Sequence, residues 1–299
     1  PGGEAAAAPL LSVVVAAGAG QDPGRCLDAL AAQERPGPVE ILVACAGGAG
    51  RALRERHPGV VFIDAPEGAS MPVLWGAGLR RARGAVLAVT DAATVVAGGW
   101  LAAVARIHEA PHPVVGGAVE PGPGGGWTDW AAYFCDYGAF MLPLAAGAAP
   151  VLPGNNLAFR REMLAHGREY VEPAFWKARW CRALQEAGVV LYAHPAMVVT
   201  DAKRYRPGAY LRRRFRHGRC FAAMRTASSS AAMRLGYALA APALPALLTA
   251  RLVRAQLPRR RHRNAFLISL PLSVLSMTCW GLGEFVGYVM GPGTSCDHV

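Results

Sequence analysis

The C-terminal third of the chain contains a long basic segment that apolar runs interrupt. Sixteen Lys and Arg residues, and no Asp or Glu, lie between Lys203 and Arg263. Two apolar stretches, Leu235–Ala250 and Ala265–Met290, lie within and after this segment. Each Lys or Arg near an anionic membrane surface contributes roughly 1 kcal/mol of attraction. The pattern therefore predicts a domain that is held on a membrane.

The positive charge of the chain is local. The 299 residues carry a formal charge of +11, so the +16 of the basic segment leaves −5 for the remainder. A block of one sign is typical of nucleic-acid binding, membrane binding or disorder. The apolar runs favour a membrane, and we expect no nucleic-acid partner. Nucleic-acid binding by the arginines with the interleaved Phe215 and Phe221 is the alternative.

The two apolar stretches differ in length. Ala265–Met290 has 26 residues with Glu284 as its single charge, which is long enough to span a bilayer. If both stretches crossed, the basic Arg259–Arg263 would lie opposite the first domain, which the positive-inside tendency disfavours. We therefore interpret Leu235–Ala250 as a re-entrant or interfacial helical hairpin, and Ala265–Met290 as a single crossing or second hairpin. Core helices of a soluble protein are the alternative.

The first 200 residues alternate between apolar strands and helices. Predicted strands are Leu11–Ala16, Val39–Cys45, Val60–Asp64, Ala85–Thr90, Val114–Val119 and, in shorter pieces, Asn156–Arg160 and Val189–Thr200. Predicted helices are Gly24–Gln33, Arg51–His57, Met71–Arg83, Trp100–Glu109 and Pro173–Gly188. This alternation indicates an α/β domain with a mostly parallel sheet that helices cover on both faces. We place it at residues 1–202, followed by a basic, membrane-associated helical region at residues 203–299.

Two further features concern the compartment. The first nine residues lack the basic-then-apolar order of a signal peptide, so we expect the N-terminal domain to be cytoplasmic. The seven cysteines are scattered and form no C-x-x-C pair. This pattern favours reduced thiols over a disulfide framework or a zinc site.

Candidate site residues follow predicted strands and turns. Asp91 ends the fourth strand, where open parallel sheets collect ligands, and can hold a divalent cation on a diphosphate or simply cap a turn. Asn155 and Asn156 follow a Pro-Gly turn, and their amides suit either a turn or the floor of a substrate groove. Ser70 precedes the helix that contains Pro72 and is a candidate N-cap.

A dinucleotide-binding turn is a weaker candidate. Gly18, Gly20 and Gly24 follow the first strand, but their spacing is G-x-G-x-x-x-G. The second strand ends in Ala44-Cys45, so no carboxylate is placed to bind a ribose hydroxyl. An ordinary glycine-rich turn explains this stretch better.

In their order, these pieces resemble a family-2 glycosyltransferase of GT-A fold. The matching stretches are Leu11–Gln33, Gly68–Ser70 with Gly78–Gly84, Asp91 with Gly99–Leu101, Val115–Val119 and Pro153–Arg161. The tail resembles a membrane-attached branch of the family through Tyr205-Arg206, Arg214–Arg219 and Trp280–Tyr288. The resemblance covers nearly the whole chain.

The resemblance implies transfer of a sugar from a nucleotide-sugar to an acceptor, with inversion and with Mg²⁺ or Mn²⁺ on the diphosphate. It implies that Asp91 holds the metal and that Ser70, Asn155 and Asn156 contact the substrate. The base that deprotonates the acceptor would be Glu172 or Asp201, and an alternative role for Asp201 is to complete the metal site with Asp91. At a membrane, the acceptor would be lipid-linked or amphipathic.

The acidic motifs of the family are incomplete in this chain. Ala44–Ala46 stands where the family has a carboxylate at the end of the second strand, and Asp91 is the one acid kept at the end of the fourth. Lys177 stands where a carboxylate base is expected. The alternative function is therefore a non-catalytic GT-A-like domain that acts as a membrane scaffold or as a partner subunit.

Overall fold

The structure is a computed structural model that describes residues 9–227 and 229–298. The first eight residues, which belong to the stretch used for the signal-peptide prediction, lie outside this range. The chain divides into two units. Unit 1 comprises Pro1–Glu120 and Phe140–Ala202, and unit 2 comprises Pro121–Ala139 and Lys203–Val299.

Unit 1 is built on a nine-stranded sheet. The strands are β1 Leu11–Ala17, β2 Val39–Ala46, β3 Val60–Ala65, β4 Val86–Asp91, β5 Thr94–Val96, β6 Val114–Pro121, β7 Gly147–Ala148, β8 Leu157–Arg160 and β9 Leu191–Asp201. Their order is β3-β2-β1-β4-β8-β6-β9-β5, and β7 pairs with β9. Strands β3, β2, β1 and β4 run parallel, whereas β8 is antiparallel to β4 and β6. The predicted α/β class is confirmed, with a parallel half and an antiparallel half.

Helices cover this sheet. They are α1 Gly24–Ala31, α2 Arg51–Arg56, α3 Met71–Arg81, α4 Trp100–Ala105 and α6 Lys177–Glu186. Helix α5, Trp127–Asp136, belongs to unit 2. Helix α3 lies directly on β1, because a Cβ added at Gly78 would overlap the side chain of Val14. An aromatic cluster in the core is formed by Phe159 of β8, Trp180 of α6 and Phe175 between them. The sheet core thus holds β4 and β8 rigidly, which fixes the carboxyl end of β4.

Unit 2 is helical and centres on one long helix. Its remaining helices are α7 Pro207–Arg225, α8 Ala231–Ala240, α9 Leu244–Gln256 and α10 Arg263–Met290. Helix α7 runs parallel to the second half of α10 and approaches it through glycines. A Cβ at Gly218 would overlap the backbone of Trp280, and one at Gly283 would overlap that of Phe215. Glycine allows this close approach because it has no side chain.

Residues 121–139 pack with the C-terminal helices rather than with the sheet domain to which we assigned them. Trp130 and Phe134 of α5 contact the rings of His262 and Phe266. The Asp129 carboxylate accepts a hydrogen bond from the Tyr205 amide at 2.7 Å. The reason for the different assignment is that these partners lie more than 70 residues away in sequence.

Helices α8 and α9 form one continuous helical run, Ala231–Gln256, through a 3-10 turn at Ala241–Ala243. The interpretation of Leu235–Ala250 as a re-entrant or interfacial helical hairpin is therefore wrong, because the chain does not reverse within this stretch. Its prolines are accommodated without a reversal, because Pro242 lies in the 3-10 turn and Pro245 in the first turn of α9. The reversal lies between Gln256 and Arg263 instead.

The run Ala231–Gln256 pairs antiparallel with α10. Arg234 donates to the Tyr288 carbonyl at 2.9 Å near one end, and Gly281 faces Pro245 near the middle. Both helices, Ala231–Gln256 and Arg263–Met290, are long and apolar enough to cross a membrane by length and composition.

The single acid of the apolar tail, Glu284, is buried and fully engaged. Its carboxylate accepts hydrogen bonds from the indole of Trp280 at 2.6 Å and from the hydroxyl of Tyr288 at 2.5 Å. Arg225 of α7 lies 3.4 Å from it. Glu284 therefore links α7 to α10.

Cys220 and Cys296 form a disulfide that joins α7 to the C-terminal 3-10 turn Ser295–His298. The prediction of reduced thiols is wrong for this pair. The two cysteines are 76 residues apart in sequence, and only the packing of α7 beside the end of α10 brings their Cα atoms to 5.0 Å. The remaining five cysteines are free thiols.

A charged cluster joins α5 to α7. Asp136 accepts a hydrogen bond from buried Arg214 at 2.9 Å and lies 3.2 Å from Arg213. Burial raises the pKa of Asp136, but the two guanidinium groups outweigh this effect and hold the pKa below its usual value. Because the folded pKa lies below the unfolded one, the pair stabilises the fold fully at neutral pH. This contribution is lost as the pH falls below about 4.

We expect Asp136→Asn to lower the free energy of unfolding by about 3–5 kcal/mol at pH 7, because it leaves buried arginine without its carboxylate. The difference from the wild-type chain shrinks at pH 3, because an aspartate of the unfolded wild-type chain is then protonated, which stabilises the unfolded state. Urea unfolding followed by helical circular dichroism at both pH values measures it. Exposed Asp297→Asn is the control. An equal difference at pH 7 and pH 3 would contradict the assignment.

Candidate active site

The candidate site is built around Asp91, the last residue of β4. Its side chain is 3% exposed. Oxygen Oδ1 accepts hydrogen bonds from the Ala93 amide at 3.1 Å and from the Thr94 hydroxyl at 2.9 Å. Asp91 lies at the carboxyl end of the parallel strands, where open sheets bind ligands. The two hydrogen bonds fix the orientation of the carboxylate within that edge.

Asn155 extends this hydrogen-bond chain. Its amide nitrogen donates to the Thr94 hydroxyl at 3.1 Å, so that Asn155, Thr94 and Asp91 are linked in series. Asn155 is 1% exposed. Among the described residues, its Oδ1 has no hydrogen-bond partner. A buried carbonyl oxygen without a partner is costly, and a ligand can satisfy it.

Asp201 lies beside the same threonine. It ends β9 and is directly opposite Thr94 in the antiparallel pair of β5 and β9. Residues directly opposite each other in such a pair point to the same face, with Cβ atoms about 5 Å apart. Since the Thr94 side chain reaches Asp91, the Asp201 side chain lies on the Asp91 side of the sheet. The structure thus brings together Asp91, Asn155 and Asp201, which the sequence placed in separate motifs.

A further part of the site, which the sequence did not predict, is formed by Trp75, Lys177 and Gly154. Trp75 of α3 donates its indole N–H to the carbonyl of Thr90, the residue before Asp91, at 2.6 Å. Lys177 donates to the Leu152 carbonyl at 2.6 Å. A Cβ at Gly154 would contact both Trp75 and Lys177 at 3.8 Å. Burial lowers the pKa of Lys177. One signal was available, since Trp75 falls in the first half of the predicted helix and therefore near the edge of the sheet that carries Asp91.

Asn156 is enclosed by protein partners. Its Oδ1 accepts from the Trp100 indole at 2.9 Å, and its amide nitrogen donates to the carbonyls of Ala118 and Met197 at 2.9 and 2.8 Å. These contacts link α4, β6 and β9. We assign Asn156 to positioning the sheet, and the predicted contact with substrate stays untested.

Ser70 lies at the same edge of the sheet, immediately before α3. Its carbonyl accepts from the Leu74 amide at 3.0 Å, and it has an extended backbone. Its half-buried side chain makes no capping hydrogen bond to the described start of α3. Ser70 is thus the N-cap by position, as predicted, but its side chain does not cap the helix, and the predicted contact with substrate stays untested.

Glu172 lies away from Asp91. It shares a surface groove of about 250 Å³ with Leu79 and Leu164, and it pairs with Arg168 at 3.6 Å. This groove is at the start of β4, because Leu164 follows the β8 residue that pairs with Val86. Val86 and Asp91 are five residues apart along β4, which corresponds to about 17 Å. The structure therefore brings Asp201, and not Glu172, to Asp91.

Comparison with known proteins decides the family. The family model described as "Glycosyltransferase like family 2" matches residues 8–219, which is more than half of the chain. The chain belongs to the glycosyltransferase-like family 2. A search of curated protein sequences finds no match.

Solved structures share the fold of this glycosyltransferase-like protein. The mannosyltransferase PcManGT from Pyrobaculum calidifontis, in complex with GDP-Man and Mn²⁺, is 18% identical with a TM-score of 0.54. The match covers 95% of this chain and 88% of that one. GalNAc-T7 with UDP, GalNAc and Mn²⁺ is also 18% identical, with a TM-score of 0.48 over 66% of this chain and 44% of its own. At 18% identity, the likeness to PcManGT shows the GT-A fold alone.

The donor set of this glycosyltransferase-like site fits a small, hard cation. Asp91 supplies a carboxylate and Asn155 a buried carbonyl oxygen, and Mg²⁺ and Ca²⁺ prefer such oxygen ligands. Within residues 9–227 and 229–298, no group of three or more His, Cys, Asp or Glu side chains is placed to hold a metal. A cation here would thus take its remaining ligands from substrate phosphates, as one or two carboxylates allow.

Proposed function

We propose that this protein transfers a sugar from a nucleotide-sugar to an acceptor hydroxyl at a membrane, with inversion at the anomeric carbon. The observation that carries the proposal is the convergence of Asp91, Asn155 and Asp201 at the carboxyl end of β4 in a chain of this family. Two carboxylates in one site can have different roles, since one can bind the donor while the other accepts a proton.

Asp91 and Asn155 are the proposed ligands of Mg²⁺ or Mn²⁺. When bound, such a cation neutralises charge on the departing diphosphate. The fixed hydrogen bonds from Thr94 and Ala93 to Asp91 hold the carboxylate in one orientation. Such outer partners of metal ligands support affinity in other proteins. PcManGT, the neighbour named above with a TM-score of 0.54, is a complex with Mn²⁺, which supports the choice of metal for this chain.

Asp201 is the proposed base. Its carboxylate accepts the proton of the acceptor hydroxyl, whose oxygen bonds to the anomeric carbon while the bond to the diphosphate breaks. Glu172, the other sequence candidate, pairs with Arg168 at the start of β4. Lys177 occupies the position where the family resemblance led us to expect a carboxylate, and its hydrogen bond to Leu152 holds the turn that leads to Asn155.

Unit 2 supports the membrane part of the proposal. Its sixteen basic and four acidic residues give a net charge of +12, against −1 for unit 1. Its two long apolar helices meet the length that a membrane helix needs. An acceptor at the bilayer would be lipid-linked or amphipathic, and the unit that carries the active site would face the cytoplasm.

Release of nucleoside diphosphate from a panel of nucleotide-sugars tests the proposal. The full chain in detergent is supplied with Mn²⁺ or Mg²⁺ and with an amphipathic acceptor that carries a free hydroxyl, such as an alkyl glycoside. We expect one donor to turn over, and we expect a chelator and Asp91→Ala each to abolish this turnover. Absence of turnover with every donor, together with Mn²⁺-dependent binding of a donor, would instead favour a non-catalytic subunit. The incomplete acidic motifs are the observation behind that second function.

A further inference from the structure

Helix α10 carries an apolar stripe on its outer side, which the exposed Thr278 interrupts. The stripe comprises Ile268, Val274, Leu275, Leu282, Phe285 and Val289, which are 39–68% exposed. These residues recur at the spacing of a single helical face. From Ile268 to Val289 the stripe is about 31 Å long. Soluble proteins seldom expose an apolar surface of this length.

The inward side of α10 has the opposite composition. Six of its eleven buried residues are Ser or Gly, namely Ser269, Ser273, Ser276, Gly281, Gly283 and Gly287. Each buried serine hydroxyl donates to a backbone carbonyl of its own helix. Small residues inside and large apolar residues outside are typical of helices that contact lipid.

The stripe and α7 lie on opposite sides of α10. Helix α7 contacts Trp280, Gly283 and Gly287. The stripe residues Leu282, Phe285 and Val289 each follow one of these positions by two residues, which rotates them by about 200° around the helix. Helix α7 therefore covers the inner side of α10 while the stripe stays open.

Helix α7 is too basic to enter hydrocarbon. It contains six arginines, Arg212, Arg213, Arg214, Arg216, Arg219 and Arg225. Two carboxylates, Asp136 and Glu284, pair with three of them. If α10 crossed the bilayer, α7 would be carried into the membrane beside Ser276–Tyr288, and charged side chains at that depth are costly.

We propose that unit 2 is a monotopic anchor, in which α10 lies flat in one leaflet of an anionic membrane and does not cross it. The stripe contacts the acyl chains. Packed helix axes are about 8–10 Å apart, and an interfacial helix is buried by about 5–10 Å. Helix α7 is thereby placed at the level of the lipid phosphates, where its arginines bind. The antiparallel run Ala231–Gln256 adds Leu235, Leu239 and Leu247 to the apolar surface.

This inference rests on the membrane association proposed above and not on sugar transfer. Co-flotation of the full chain with phosphatidylcholine–phosphatidylglycerol vesicles tests the surface. The double variant Val274→Glu, Val289→Glu should lower binding at least about tenfold. Val61→Glu on β3 is the matched control, because Val61 is 42% exposed and Val274 is 39% exposed. The assignment of the stripe to lipid would be overturned if Val61→Glu lowered vesicle binding as much as the double variant does, or if the double variant did not lower it.

The arginines of α7 have their own test. Arg212→Gln should lower binding to the anionic vesicles about fivefold, because one arginine near the surface is removed. Binding to vesicles of phosphatidylcholine alone should be unchanged. A stripe that instead joins two copies of the chain would make the wild type dimeric and unable to float. That result would overturn the lipid assignment.

Depth measurement separates a flat helix from a crossing one. Cysteines placed at Ile268, Leu275 and Val289, in a chain whose Cys135 and Cys279 are replaced by serine, are spin-labelled in the same vesicles. A flat helix gives one common depth. A crossing helix places Leu275 about 10 Å deeper than Ile268 and gives the two ends access from opposite sides. If the chain floats with the vesicles but its labels show this gradient of depth, the flat orientation would be overturned. Membrane association and sugar transfer would both remain unaffected.

Discussion

Asp201→Asn is expected to slow sugar transfer by a factor of about 10²–10⁴, because it removes the proposed base while keeping the size of the side chain. Glu172→Gln, which changes a partly exposed carboxylate at the start of β4, should leave the rate within about twofold of wild type. The measurement is the initial rate of nucleoside diphosphate release with the donor that turns over.

The same pair of variants separates the two sequence candidates for the base. A loss with Glu172→Gln and none with Asp201→Asn would return the role to Glu172 and would require a different placement of residues 168–176. A pH profile adds a second readout. The acidic limb of the wild-type profile reports protonation of the base, and Asp201→Asn should remove it.

Gly117→Ala is expected to destabilise unit 1 by more than about 3 kcal/mol, because overpacking against backbone is among the most destabilising changes. A Cβ at Gly117 would overlap the carbonyl oxygen of Met197 and the amide of Asn156. Neither neighbour can move easily, since Met197 is in β9 and Asn156 is held by three hydrogen bonds. Thermal unfolding measures the effect.

Gly59→Ala is the control for this substitution, because no atom lies within 4 Å of the added Cβ among the residues described. It should change the unfolding temperature little. A Gly117→Ala chain as stable as the control would show that β6 and β9 can separate without cost. The role of Asn156 in positioning the sheet would then be incorrect.

The sheet domain was predictable because its signals are local. Strand β4 is a continuous apolar run that ends in Asp91, and α3 begins where Ser70 and Pro72 predict a helix start. Each element needs only hydrophobic periodicity and turn residues to be recognised. Asp91 was placed at the correct edge of the sheet for the same reason.

The features that sequence reasoning missed depend on contacts between distant residues. The disulfide of Cys220 with Cys296 and the packing of α5 against α10 follow from the helical assembly of unit 2, and no local pattern encodes them. The proximity of Asp201 to Asp91, which the resemblance offered only as an alternative, likewise depends on a distant contact, the register of β5 against β9. Glu172 is close in sequence to Phe175-Trp176, but the chain between them runs along α3 from near Arg80 to Pro72, so that Phe175 lies towards the site and Glu172 lies away from it.

The exposed side of α10 illustrates a different difficulty. Its apolar length was evident from the sequence and suggested a crossing. The direction of the apolar side chains was not evident, because Ser and Gly alternate with Leu and Val along the whole helix. Only the positions of α5, α7 and the run Ala231–Gln256 show which side of α10 is covered and which side is open.

The central claim is that Asp91 binds a metal–diphosphate at the carboxyl end of β4, and calorimetry of UDP and GDP binding tests it most directly. With Mn²⁺ present, we expect the wild-type chain to bind one of the two nucleotides. Removal of Mn²⁺, or the substitution Asp91→Asn, should weaken that binding by at least about tenfold to a hundredfold. Binding that is unchanged by both the metal and the substitution would contradict the claim.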